Sequence, residues 1–119
     1  MLGNAVLRVV TLDGDTPHAE RLELREHADV VLTNPDTLHA TVLPGHANGW
    51  GTLLARVRYV VVDECHVYRG TFGAHVACVL RRLWRICALC APPPVGDGSA
   101  EDTELCRGPL AICLSLIHI

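Results

Sequence analysis

The sequence predicts an α/β domain in which a mostly parallel sheet is flanked by helices. Three observations carry that prediction. Short β-branched runs alternate with amphipathic segments in the order strand, helix, strand, helices, strand, helix. Residues 59–62 read Tyr-Val-Val-Val with no polar alternation, the pattern of a parallel strand covered on both faces. Each strand also ends in a polar turn sequence.

Residues 5–12 (AVLRVVTL) form the first strand, ended by the turn signal Asp13-Gly14-Asp15. Thr16 is placed to cap the next helix and Pro17 to open it, where a missing N–H costs nothing. Leu22 and Leu24 there stand among Glu20, Arg21, Glu23, Arg25 and Glu26, so that helix faces solvent. Residues 29–33 are a second strand, cut off at Asn34-Pro35 because a residue before proline avoids the helical region. Asn34 then caps a helix carrying Leu38, Val42 and Leu43 on one side and stopping at Pro44-Gly45. A further helical segment over residues 48–57 carries Trp50, Leu53 and Leu54. After the third strand comes a long helix over residues 73–90, with Val76, Val79, Leu80, Leu83, Ile86, Cys87 and Cys90 on one stripe. Arg81, Arg82 and Arg85 fall largely off that stripe, and Ala91-Pro92-Pro93-Pro94 ends the helix.

At 119 residues, 50% hydrophobic and 19% charged, the chain is one small domain with a core rather than a disordered polymer. Its net charge of −3 belongs to residues 92–119, where Arg107 faces Asp97, Glu101, Asp102 and Glu104. The neutral remainder gives no global electrostatic case for nucleic acid, so such a reading must rest on local features. No run approaches the ~20 apolar residues of a membrane helix, and Met1-Leu2-Gly3-Asn4 lacks a signal-peptide layout. The expectation is a soluble cytoplasmic protein with no membrane partner. Cys65, Cys78, Cys87 and Cys90 sit in periodic apolar segments and read as reduced thiols.

Ligands of open α/β sheets bind beyond the carboxyl ends of the strands. Three polar sets stand there: Asp13-Gly14-Asp15, Thr33-Asn34-Pro35-Asp36 and Asp63-Glu64-Cys65-His66, on one sheet edge if the strands are parallel. An apolar strand followed by Asp-Glu suits a nucleotide hydrolase. Asp63 would hold Mg²⁺ through a water, while Glu64, pointing elsewhere, would orient and deprotonate the attacking water. His66 is placed to hydrogen-bond between the nucleotide side and a second site. The plainer reading has these acids capping the next helix. Cys87-Ala88-Leu89-Cys90 has CxxC spacing, with Cys106, Cys113 and His118 downstream, yet its cysteines continue a helical stripe, so no zinc site is expected. His39 and His75 read as ordinary helix residues.

The segment Val60-Val61-Val62-Asp63-Glu64-Cys65-His66 resembles motif II of superfamily 2 helicases in its DExH form. The following residues 67–77 (VYRGTFGAHVA), with Leu80-Arg81-Arg82-Leu83, are similar to the same region of the Hrq/Mrf-type DEAH-box DNA helicases, a branch associated with DNA repair. Asp13-Gly14-Asp15-Thr16-Pro17, residues 31–39 (VLTNPDTLH) and Leu43-Pro44 agree in order and spacing, so the resemblance runs over residues 6–86. It implies a partial RecA-like lobe of the P-loop NTPase class over residues 1–91, followed by a linker and a non-native tail over 92–119; for residues 114–119 the alternative is a short, genuine strand. It further implies ATP and Mg²⁺ as cofactors, DNA as partner, and catalytic roles for Asp63, Glu64 and His66. Gly14, Thr33, Asn34 and Asp36 would lie against DNA, with backbone N–H groups of the helix opened at Asn34 offered to a phosphate.

The departures matter equally. No GxxxxGK[ST] loop occurs and the chain has no lysine, so the phosphate-holding lysine of such enzymes is not here. A Ser-Ala-Thr motif, a second lobe with arginine fingers and the family's cysteine cluster are missing as well. The expectation is a fragment of an ATP-dependent DNA helicase, inactive in isolation and prone to aggregate through exposed strand edges. The alternative is a non-catalytic α/β binding module derived from such a lobe.

Overall fold

A computed structural model describes residues 6–93 and 108–114. The expected strand start at Ala5, the acidic residues 95–107 and the chain end at 115–119, with Cys106 and His118, lie outside the described residues. In chain order the elements are β1 (Val9–Thr11), α1 (His18–His27), β2 (Val30–Leu32), α2 (Pro35–Thr37), α3 (Gly51–Arg56), β3 (Tyr59–Val62), α4 (Gly70–Cys90) and β4 (Leu110–Cys113). Both strand pairings are parallel, β1 with β2 (Val9 opposite Val30) and β3 with β4 (Tyr59 opposite Leu110).

The α/β order is the expected one, with three differences. Among the described residues the strands make two two-stranded sheets, not one continuous edge. Within the stretch expected as linker and tail, Leu110–Cys113 forms a strand: Leu110 N–H donates to the Arg58 carbonyl at 2.9 Å and Leu114 N–H to the Val62 carbonyl at 2.8 Å. An apolar run takes up the open backbone groups of β3, as edge strands invite. Third, β3 is covered on one face only. Its pleat sends Val60 into the core while Tyr59 and Val61 stay 64% and 57% exposed.

Helix starts show why local signals succeed or fail. Pro17 sits at the N-cap of α1 without a side-chain cap. Thr16 does not cap, because its hydroxyl donates to Asp13 Oδ1 (3.0 Å) and accepts from Asp13 N–H (2.9 Å), closing the preceding turn instead. Asn34 caps as expected, its Oδ1 accepting from Thr37 N–H at 2.8 Å. After α2 the helix continues as a π-helical turn over Leu38–Val42, and residues His46–Trp50, kinked at Asn48 and Gly49 where the backbone leaves helical angles, lead into α3. The long helix α4 begins at Gly70, before the expected residue 73.

The core joins Leu12, Leu24, Val42, Leu43, Trp50 and Leu54 to Val79, Leu83, Ile86 and Cys87 of α4. Val76 is also buried, and Leu80 and Cys90 pack against this core, so the helical stripe read from the sequence is the buried one. Trp50 is its largest member, at 2% exposure. Two glycines make room for it and its neighbour. A Cβ on Gly45 would lie 2.5 Å from Trp50 Cδ1, and Gly49 has φ +104 with Arg25 Nη1 at 2.7 Å from where its Cβ would be. The Arg25 guanidinium lies over the Trp50 ring, 4.4 Å from its centroid. No helix of the described residues is long and apolar enough to cross a membrane.

Burial, and then the neighbouring Cys90, push the Cys87 thiol up to about 11 from an ordinary 9.0. The folded state therefore keeps a proton that the unfolded chain releases first, so stability falls as pH rises through the interval between those values. At pH 8 iodoacetamide should label the exposed Cys78 and leave Cys87 unmodified until the chain is denatured, as peptide mass mapping would show.

Candidate functional site

Two groups of polar residues stand at strand ends. At the carboxyl ends of β1 and β2, Leu12 N–H donates to the Leu32 carbonyl at 2.8 Å and brings the Asp13 and Thr33 loops side by side. A shallow depression there is lined by Thr11, Leu12, Asp13, Leu32, Thr33 and Asn34. Its Asp13 loop is tightly held. Asp13 Oδ1 accepts from Asp15 N–H at 2.9 Å, and Arg21 donates from Nη2 to the Gly14 carbonyl (3.1 Å) and from Nε to the Thr16 carbonyl (2.8 Å). Gly14 itself is exposed, with open space where a Cβ would stand. This fixed backbone is open to solvent and next to the Asn34-capped helix start.

At the end of β3, Asp63 Oδ1 accepts from the N–H of Glu64 at 2.8 Å. Glu64 has φ 50 and ψ 37, in the left-handed region, and among the described residues it alone combines a side chain with positive φ. That conformation costs on the order of 1 kcal/mol and is held because the flanking backbone is fixed. Cys65 N–H donates to the Leu114 carbonyl at 3.0 Å and Val67 N–H to the Glu64 carbonyl at 3.0 Å. The twist turns the Glu64 side chain to His66, whose Nε2 lies 3.1 Å from Glu64 Oε2. A 3₁₀ turn, Cys65–Val67, and Arg69, whose Nε donates to the His66 carbonyl at 2.9 Å, complete the connection to α4.

Asp63, a hard carboxylate at an exposed strand end, is the side chain there that could hold a Mg²⁺ ion through water. The carboxylates are present without a lysine for the phosphates. Among the described residues no group of three or more His, Cys, Asp or Glu side chains is arranged to hold a metal on its own. Cys87 is buried within the α4 stripe.

The structure thus places Thr33 and Asn34 together in the depression, with Gly14 next to its Asp13 on the adjoining loop, and Asp63, Glu64 and His66 at another place. Asp36 does not face the depression. Its Oδ1 lies 3.9 Å from His75 Nε2 on α4. His75 in turn packs edge-on against His39, with ring centroids 5.3 Å apart, and Arg82 Nη1 approaches His39 Nδ1 at 3.4 Å. Sequence periodicity places each of these three side chains on a helix; which helices pack together is a tertiary fact it does not contain.

Comparison with known proteins decides the family. Residues 2–97 match the model of the DEAD/DEAH box helicase family. The chain belongs to that family. Among its helicase relatives, the ATP-dependent helicase HRQ1 of Saccharomyces cerevisiae is 54% identical over 86 residues, covering 72% of this chain and 8% of the yeast protein. The ATP-dependent helicase YprA of Bacillus subtilis is 47% identical over 89 residues, covering 75% of this chain and 12% of its own length. The crystal structure of the DUF1998 helicase MrfA bound to DNA superposes with a TM-score of 0.75 at 39% identity, covering 94% of this chain and 13% of that one. A further MrfA structure, bound to DNA and AMPPNP, gives a TM-score of 0.67 at 38% identity over 92% of this chain and 16% of that one. The chain therefore spans about a tenth of the length of the helicases it matches. These matches establish the partial RecA-like α/β fold that the DExH segment implied.

Proposed function

We propose that this chain forms part of the first RecA-like lobe of an ATP-dependent DNA helicase, with residues 1–91 as the portion of the ATP-binding domain present. The observation that carries the reading is Glu64, held left-handed at the end of a parallel strand with its carboxylate on His66 and Asp63 beside it. Strained side chains in such positions cluster where chemistry is done.

Bound Mg²⁺ and ATP supply the electrophilic phosphoryl group and the metal's charge. Asp63 is the residue that would hold the metal, through a water. Glu64 accepts the proton of the attacking water on one carboxylate oxygen while His66 Nε2 fixes the other, so the base is oriented before substrate arrives. At the second place, backbone groups at Gly14, Thr33 and Asn34 hold the DNA backbone. Asp36 stands in the first turn of that helix, its carboxylate on the His75 side. The missing phosphate cradle and the second lobe come from the remainder of the helicase. The MrfA structures support the ligands: they are described as bound to DNA and to AMPPNP. The same reading gives a cytoplasmic protein, nucleoid-associated in a bacterium, acting in DNA repair.

Asn34→Asp separates DNA contact from plain helix capping. Aspartate caps as well as asparagine, so the melting curve should be unchanged, while the added charge lowers affinity for labelled single-stranded DNA on the order of tenfold at low salt. Equal affinity in fluorescence polarisation would leave Asn34 a cap and nothing more. The isolated chain should show no ATP turnover in the same samples; turnover lost in Glu64→Gln would contradict that expectation.

A further inference from the structure

We propose that His75, acting with His39, is a positioning residue that ties the DNA-facing helix start to the segment bearing the hydrolytic carboxylates; the proposal rests on the function just given. Two features of the chain carry it. First, α4 grows directly out of the carboxylate segment: Asp63 and Glu64 lead through the 3₁₀ turn and Arg69 into Gly70, and His75 lies in the second turn of that helix. Second, among the described residues His75 lies against residues just after the Asn34 cap, with Asp36 Oδ1 at 3.9 Å and the His39 ring at 5.3 Å between centroids. The two polar groups at the strand ends belong to different sheets among the described residues, so the sheet does not join them. The histidine pair does.

The chemistry of the cluster suits a link between elements more than a second ligand site. Arg82 Nη1 lies 3.4 Å from His39 Nδ1, a second contact between the two helices. Asp36 supplies the anion opposite His75 and Arg82 the cation opposite His39, so the seam is matched from both helices. The core stripe of Val76, Val79 and Leu83 fixes the other side of α4. A small displacement of the 34–37 turn on binding DNA is then passed to α4 at His75, and from its first turn to Glu64 and His66. Side chains of this kind modulate coupling between sites without touching either ligand.

The test is an NMR titration of the ¹⁵N-labelled full chain with a short oligothymidylate. Binding should shift the amides of residues 33–37 directly and those of 64–66 more weakly. In His75→Ala the shifts at 64–66 should shrink by about threefold or more while those at 33–37 persist. His75→Gln, which keeps a polar side chain on the Asp36 side of α4, should restore them in part, and His27→Ala, at an exposed pair elsewhere, should change neither set. Undiminished shifts at 64–66 in His75→Ala, or none there in the unmodified chain, would overturn the positioning role while leaving the DNA reading intact. No shift at 33–37 would overturn the DNA reading and the positioning role together.

Discussion

Glu64→Gln, introduced into the helicase that carries this chain, should lower kcat for ATP hydrolysis by about 10²–10⁴-fold, the contribution of a positioned general base. That corresponds to about 3–5 kcal/mol of transition-state stabilisation. The amide keeps the shape of the side chain and an oxygen toward His66 Nε2, which sits 3.1 Å from the native carboxylate, but it cannot accept a proton from water. Nucleotide affinity should be almost unchanged, because the phosphates and the metal are held by other groups. Steady-state turnover with a parallel ATP-binding titration separates the two. If kcat and affinity fall together, Glu64 is a structural residue of the turn; if neither falls, the base lies elsewhere.

The second large effect is on stability. Trp50→Ala should destabilise the fold by about 3–5 kcal/mol, the range for removing a large aromatic side chain from a packed core. Trp50 is 2% exposed, and its loss also strips the ring from under the Arg25 guanidinium. The Arg25 Nε atom is buried with no hydrogen-bond partner among the described residues, and the guanidinium donates from Nη1 to the Asn48 carbonyl at 3.4 Å. Thermal unfolding followed by circular dichroism should show a midpoint lowered on the order of 15 °C or more. Arg25→Ala should cost about 1 kcal/mol by itself, and the double variant little beyond Trp50→Ala, because the two side chains share one interaction. Additive losses would show that the stacked pair contributes nothing of its own.

Much of this molecule was legible in its sequence, for identifiable reasons. Tyr59–Val62 and the α4 stripe were readable because periodicity reports which side chains are buried, and Asn34 because a cap followed by proline is a purely local signal. Thr16 misled because its hydroxyl had two possible partners at the same spacing, the helix N-terminus and the Asp13 turn, and the turn won. The strand at Leu110–Cys113 was hidden for a different reason. Four apolar residues in a region with no family resemblance carry no partner information, and only the open backbone of β3 makes them a strand. The site divides in the same way. Residue identities at 63–66 announced carboxylate chemistry, whereas the left-handed Glu64 and the His75–His39 contact depend on how distant elements pack.

On the proposed function, the end of β3 carries the hydrolytic carboxylates and the ends of β1 and β2 carry the DNA contacts. A crystal structure of the helicase carrying this chain, with Mg²⁺, a non-hydrolysable ATP analogue and single-stranded DNA, tests it most directly. The expected density has the metal joined to Asp63 through a water, the γ-phosphate side facing Glu64, and a DNA phosphate on the backbone of Thr33 and Asn34. A nucleotide bound away from Asp63 and Glu64, or DNA that passes no closer to the β1 and β2 ends than to the rest of the surface, would contradict it.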